Sequence, residues 1–146
     1  MLGETQRLNQ LNWLRGTAHP APPANFYLSL HTADPGATGA SEVGTGVGYA
    51  RQIAAFIAPA DEVVMVNGND IVTSGGTSLT LKRISNSAII TFGPASGGGF
   101  GEVTHLGIWT ASTGGTFVEG GDASDVLVIS GNSARVPVGA LKLYRG

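Results

Sequence analysis

The stretch Leu28–Phe56, LSLHTADPGATGASEVGTGVGYARQIAAF, carries the question on which the fold turns. It begins as a strand, breaks at Asp34-Pro35-Gly36, passes through glycine and small residues, and turns extended again at Gly48-Tyr49-Ala50-Arg51. Glycine-rich loops cradle phosphate when they open onto a helix N-terminus, whose free N–H groups meet the anion. Here the segment GTGVG, Gly44 to Gly48, has the wrong spacing, no Lys-Ser/Thr follows, and a strand comes next. The loop therefore reads as architecture. Asp34, Pro35 and Gly36 form an expected turn, with Pro fixing φ at the first central position and Gly accepting positive φ at the second. Arg51 shares a face with Tyr49 and is expected to pin the loop by pairing with Asp34 or Glu42.

Outward from this stretch the period is two. Phe26, Leu28 and Leu30 point one way, and Tyr27, Ser29 and His31 the other. YARQIAAFIA, EVVMV, DIVTS, SLTLK, NSAIITF, EVTHLGIW, DVLVI and ARVPVGALKLY read as further strands, separated by turn clusters such as Asn67-Gly68, Ser74-Gly75-Gly76 and Gly120-Gly121-Asp122. In the last strand Val136 and Val138 fall on one parity and Leu141 and Leu143 on the other, so a β-bulge is expected at Gly139. The whole reads as an all-β fold, an antiparallel β-sandwich or jelly roll.

Before the strands, GETQRLNQLNWLRG is the one convincing helix. Leu8, Leu11 and Leu14 recur every three residues on one face, Trp13 lies nearly opposite Leu11, and Gly16 is placed to stop the helix. Apolar groups on two sides suit either a helix that caps the β body with Trp13 half exposed, or one that packs between its own β body and a partner, which makes Leu8, Leu11, Trp13 and Leu14 the candidate assembly interface. Pro20, Pro22 and Pro23 make the following segment an extended arm. The expected organisation is residues 1–25 as helix and arm, and 26–146 as the β domain, with an inserted hairpin at about 59–83.

Composition narrows the chemistry. The 23 glycines and 12% charged residues suit a turn-rich β domain, and a net charge of −2 with scattered Lys and Arg gives no footprint for nucleic acid or an anionic membrane. The chain has no cysteine, so disulfides, thiolate zinc sites and cysteine nucleophiles are excluded. No apolar run is long enough to span a bilayer and the N-terminus lacks a signal pattern, so a soluble protein made in the cytoplasm is expected. His19, His31 and His105 show no metal-ligand spacing. Glu119, Asp122 and Asp125 cluster in VEGGDASD but match no calcium-loop pattern, and no Gly-x-Ser-x-Gly elbow occurs. The expectation is a non-enzymatic protein without cofactor or metal.

LSLHTADPGATGASEVGTGVGYARQ, SNSAIITFGPASGGGFGEVTHLGIWTASTGG and SGNSARVPVGALKL together resemble a family of small tailed-bacteriophage proteins commonly labelled phage tail fibre proteins. The shared elements fall at Thr32 to Gly36, Gly48 to Arg51, Phe100 to Gly107 and Gly139 to Leu141. The resemblance implies a structural virion protein, displayed on the particle as a tail or fibre part, contacting other virion proteins and built as a homotrimer. It brings no catalytic residues. The chain departs from the family pattern between about residues 59 and 83, where a tip at Val66, Asn67, Gly68 and Asn69 is the expected variable surface for a host glycan or protein. A capsid decoration protein is the alternative, and a carbohydrate-binding module using Trp109 and Tyr27 the third reading.

Overall fold

The computed structural model describes residues 1–68 and 70–145. Among the described residues one helix, α1 (Glu4–Leu14), precedes ten strands: β1 (Phe26–His31), β2 (Gln52–Ala54), β3 (Ala60–Asn67), β4 (Asp70–Val72), β5 (Thr77–Ser85), β6 (Ile90–Phe92), β7 (Gly101–Trp109), β8 (Phe117–Val128), β9 (Ala134–Val136) and β10 (Lys142–Arg145). The fold is all-β, with antiparallel sheets and a single N-terminal helix. Sheets run in the orders β2-β1-β7-β8, β10-β5-β3-β4 and β6-β9. The chain forms two compact units, Met1–Ala54 with Ile90–Arg135, and Ala55–Ile89 with Val136–Gly146.

The first unit is built around β1, which is buried on both faces. On one side Leu28 and Leu30 are sequestered, and Tyr49 stacks on Phe92 at 6.0 Å and meets the edge of Phe100 at 5.8 Å. Each such side chain contributes about 1.5–3 kcal/mol of transfer free energy. On the other side Ser29 and His31, on the opposite face as the alternation predicts, have no exposed surface at all. The reason is the loop that follows them. Its turn at Pro35–Gly39 folds back over the sheet as a roof, with Pro35 and Gly39 buried.

Glycine makes the roof fit. A Cβ on Gly39 would lie 2.3 Å from the Trp109 ring, and one on Gly107 would lie 2.6 Å from both His31 Nε2 and Ser29 Oγ. Gly107 pairs across β7–β8 with Gly120, giving a flat spot beneath the roof. That packing also corrects the expected turn at Gly120-Gly121-Asp122, since these residues continue β8 as a twelve-residue strand with register shifts.

The second unit is a four-stranded antiparallel sheet. Residues 59–83 fold as β3, β4 and most of β5, with Met65↔Val72, Val66↔Ile71 and Asn67↔Asp70 paired at the tip. The expected bulge at Gly139 is replaced by a turn. Residues 137–141 separate β9 from β10, and Gly139 has φ +74°. The buried side chain of Asn86 holds this turn, donating to the Pro137 and Ala88 carbonyls and accepting from the Leu141 amide at 2.8–2.9 Å. The parity change from Val138 to Leu141 thus falls in a turn held by the Asn86 side-chain amide.

Candidate functional site

Two surfaces of the first unit carry the residues marked by the sequence. One is α1. The segment Met1–Gly3 lies antiparallel against the edge of β8: Leu2 bridges Glu119, the Gly3 amide donates to the Val118 carbonyl at 2.7 Å, and the Met1 ammonium donates to the Gly120 carbonyl. The helix ends at a left-handed Gly16, where the Gly16 amide reaches the Trp13 carbonyl and the Thr17 amide the Asn12 carbonyl, the doubly bonded stop expected at a C-terminal glycine.

The polarity of α1 is the reverse of an ordinary amphipathic helix. The half-buried row is Gln6, Asn9 and Asn12. At 100° per residue the centre of the leucine stripe lies on the opposite side of the helix. Leu8, Leu11, Trp13 and Leu14 are 56%, 60%, 62% and 74% exposed. A groove of about 340 Å³ behind the helix is lined by Gln6, Asn9, His19, Pro22, Phe26 and Thr116, among others. The side of α1 turned to its own unit is amide-lined, and the apolar side is turned away. Wasting four large apolar side chains on water costs roughly 1.5–3 kcal/mol each relative to burial.

The second surface is the clamp under the glycine-rich loop. Arg51 pairs with Glu42 through both oxygens, Nε to Oε1 at 2.8 Å and Nη2 to Oε2 at 2.7 Å. Its Nη1 donates to the carbonyls of Ala111 and Gly114, and its guanidinium lies 3.7 Å from the Trp109 ring centroid. The Tyr49 hydroxyl donates to Glu42 and accepts from the Leu30 amide. Burial pushes the Glu42 carboxyl up, but the hydrogen bonds from Arg51 and Tyr49 and the Arg51 charge outweigh it and hold its pKa low. Burial raises the Tyr49 hydroxyl well above its ordinary range. Asp34 takes no part in this pairing; its carboxylate accepts from the Gly36 amide at 2.8 Å and shapes the Pro35 turn.

Between roof and sheet lies a buried polar relay that alternation concealed. Trp109 Nε1 donates to Ser29 Oγ at 2.9 Å, Ser29 Oγ lies 2.7 Å from His31 Nε2, and His31 Nδ1 lies 2.7 Å from the Ala40 carbonyl. The indole can only donate and the carbonyl only accept, so the relay runs in one direction: indole to hydroxyl, hydroxyl to Nε2, Nδ1–H to carbonyl. Burial lowers the His31 pKa and keeps the ring neutral. Trp109 is therefore an internal donor and not a platform for sugar stacking, while Tyr27 is half-buried. The only advance sign of the relay was a histidine and a serine in the strand beside the loop.

The remaining candidates lie apart. His105 Nε2 pairs with Asp122 at 2.7 Å and its Nδ1 lies 2.8 Å from the Thr104 hydroxyl, so Asp122 is engaged across the sheet, apart from any loop with Glu119 and Asp125. Among the described residues no group of three or more His, Asp or Glu is arranged to hold a metal ion. In the second unit Val66 is half-buried, Asn67 exposed, and Gly68 left-handed at φ +63°. Asn69 lies outside the described residues. The family described as Podophage GP4 fiber I protein gp80 matches residues 4–144. No curated protein matches the chain.

Proposed function

The chain belongs to the Podophage GP4 fiber I protein gp80 family, and from that premise we propose that this bacteriophage fibre component is a non-enzymatic subunit docked to other virion proteins through the leucine face of α1. The observation that carries this reading is the reversed polarity of α1, with Gln6, Asn9 and Asn12 half-buried on one side and Leu8, Leu11 and Leu14 exposed on the other, and Trp13 exposed as well. A helix of this length gains little stability alone, so an apolar face left in water favours burial against another subunit. In this reading the subunit is trimeric, with three α1 helices or their neighbours meeting at a closed interface. The tip at Val66, Asn67, Gly68 and Asn69 is assigned to a host-surface glycan or protein, because loops on a rigid sheet tolerate change.

The test places a photo-crosslinking residue at position 11 in assembled particles, with a second at position 9, on the half-buried opposite row, as control. Crosslinks from position 11 to another subunit or virion protein are expected. Particles that incorporate the chain yet give no intermolecular product from position 11 would overturn the docking assignment.

A further inference from the structure

The relay beneath the roof loop has a consequence in acid. His31 and Ser29 are fully buried and Trp109 nearly so, and each link has one permitted direction. A proton added at Nε2 turns the ring into a second donor toward Ser29 Oγ, which already accepts from Trp109. The Ser29 hydroxyl proton then loses its acceptor in a site closed to water, and buried polar groups without partners are unfavourable. We propose that His31 is a proton-operated latch: the neutral ring closes the joint between β1, the roof loop and Trp109, and protonation opens it.

Burial opposes the added charge more than the Ala40 carbonyl and the Glu42 charge support it. From the roof loop Glu42 bridges His31 in the backbone, but both its carboxylate oxygens are committed, to Arg51 and Tyr49. From the segment entering β2 the Arg51 cation repels it, and from β7 His105, in register with His31 and backed by Asp122 of β8, does so when charged. The edge of the Phe117 ring closes the remaining side, 6.3 Å between centroids. Relief comes at the movable partner. Trp109 is sandwiched between Ser29 and the Arg51 guanidinium, and Arg51 also ties down Ala111 and Gly114, so displacing the indole loosens the β7–β8 connection and the roof loop together.

Heteronuclear NMR of the full chain, titrated from neutral pH to the acid limit of the fold, tests this. At neutral pH the His31 ring should carry its proton on Nδ1. It should protonate below the ordinary imidazole pKa, and the Trp109 indole N–H and the amide of Val43, which ties the roof loop to β1 by donating to the Leu30 carbonyl at 2.9 Å, should shift at the same midpoint while amides of β3 and β5 stay in place. Replacing the serine (Ser29→Ala) removes the hydroxyl that favours the neutral ring and should raise the midpoint by about half a pH unit or more; His31→Gln should abolish the transition. Indole and Val43 signals that follow a carboxylate or global unfolding, or a neutral ring protonated on Nε2, would overturn the latch. The wild-type titration decides the matter whether or not either variant folds.

Discussion

Replacing Arg51 with alanine is the severest single test of the loop clamp. The guanidinium and its Glu42 partner are only 9% and 22% exposed, so their loss belongs to the buried class. Removing one partner of a buried ion pair costs about 3–5 kcal/mol, since the other charge is left uncompensated. The cation over Trp109 adds about 1 kcal/mol. Against this, Glu42 keeps the Tyr49 hydroxyl and one-fifth of its surface, and water can reach the freed carbonyls. Balanced, Arg51→Ala should lose about 3–4 kcal/mol by urea denaturation, a large share of the roughly 5–15 kcal/mol typical of a domain. Arg51→Lys keeps the charge but not the two-pronged geometry, and should lose about 1–2 kcal/mol. A second readout is pH. The folded Glu42 pKa lies below its ordinary value of 4.5, so its contribution is complete above that value and disappears as pH falls through the folded pKa. Without Arg51 burial dominates and the acid loss should move to higher pH. An Arg51→Ala protein within about 1 kcal/mol of the parent, with an unchanged acid limb, would refute the reasoning.

Gly107→Val would drive a branched side chain into Ser29 and His31, whose nearest atoms lie 2.6 Å from the first added carbon; a loss above about 3 kcal/mol, or failure to fold, is expected in thermal melts. Asn86→Ala leaves the buried Leu141 amide without its acceptor and frees the part-buried Pro137 and Ala88 carbonyls to water, and should lose about 1–3 kcal/mol, with hydrogen exchange rising first at Gly139 and Leu141. The paired change Leu11→Glu with Leu14→Glu, at sites already 60% and 74% exposed, should alter stability of the isolated chain by no more than about 0.5 kcal/mol. The same pair should abolish incorporation into particles, scored by immunoblot of purified phage.

The sequence was most legible where one rule acted alone. Leucine spacing and Gly16 marked α1 almost to its ends, and period-two runs marked β1, β3, β5 and β7. It misled where tertiary packing overrode local pattern. Ser29 and His31 fall on the face opposite Leu28 and Leu30, and the Pro35 turn roofs that face; nothing local to β1 encodes that roof. Gly120-Gly121 looks like a turn because glycine favours turns, but here paired glycines thin the sheet beneath Pro35. The parity break near Gly139 was visible, while its cause, the side chain of Asn86 some fifty residues earlier, required the fold. Arg51 offered two acidic partners earlier in the chain, and only the three-dimensional path of the loop chose Glu42 over Asp34.

The most direct test of the account is cryo-electron microscopy of the intact particle, at a resolution that places α1. The account predicts this chain on the fibre, with Leu8, Leu11 and Leu14 buried against a neighbouring subunit and the Gln6–Asn9–Asn12 row still facing its own unit. Density for the chain on the capsid lattice, or on the fibre with the leucine face open to solvent, would contradict it.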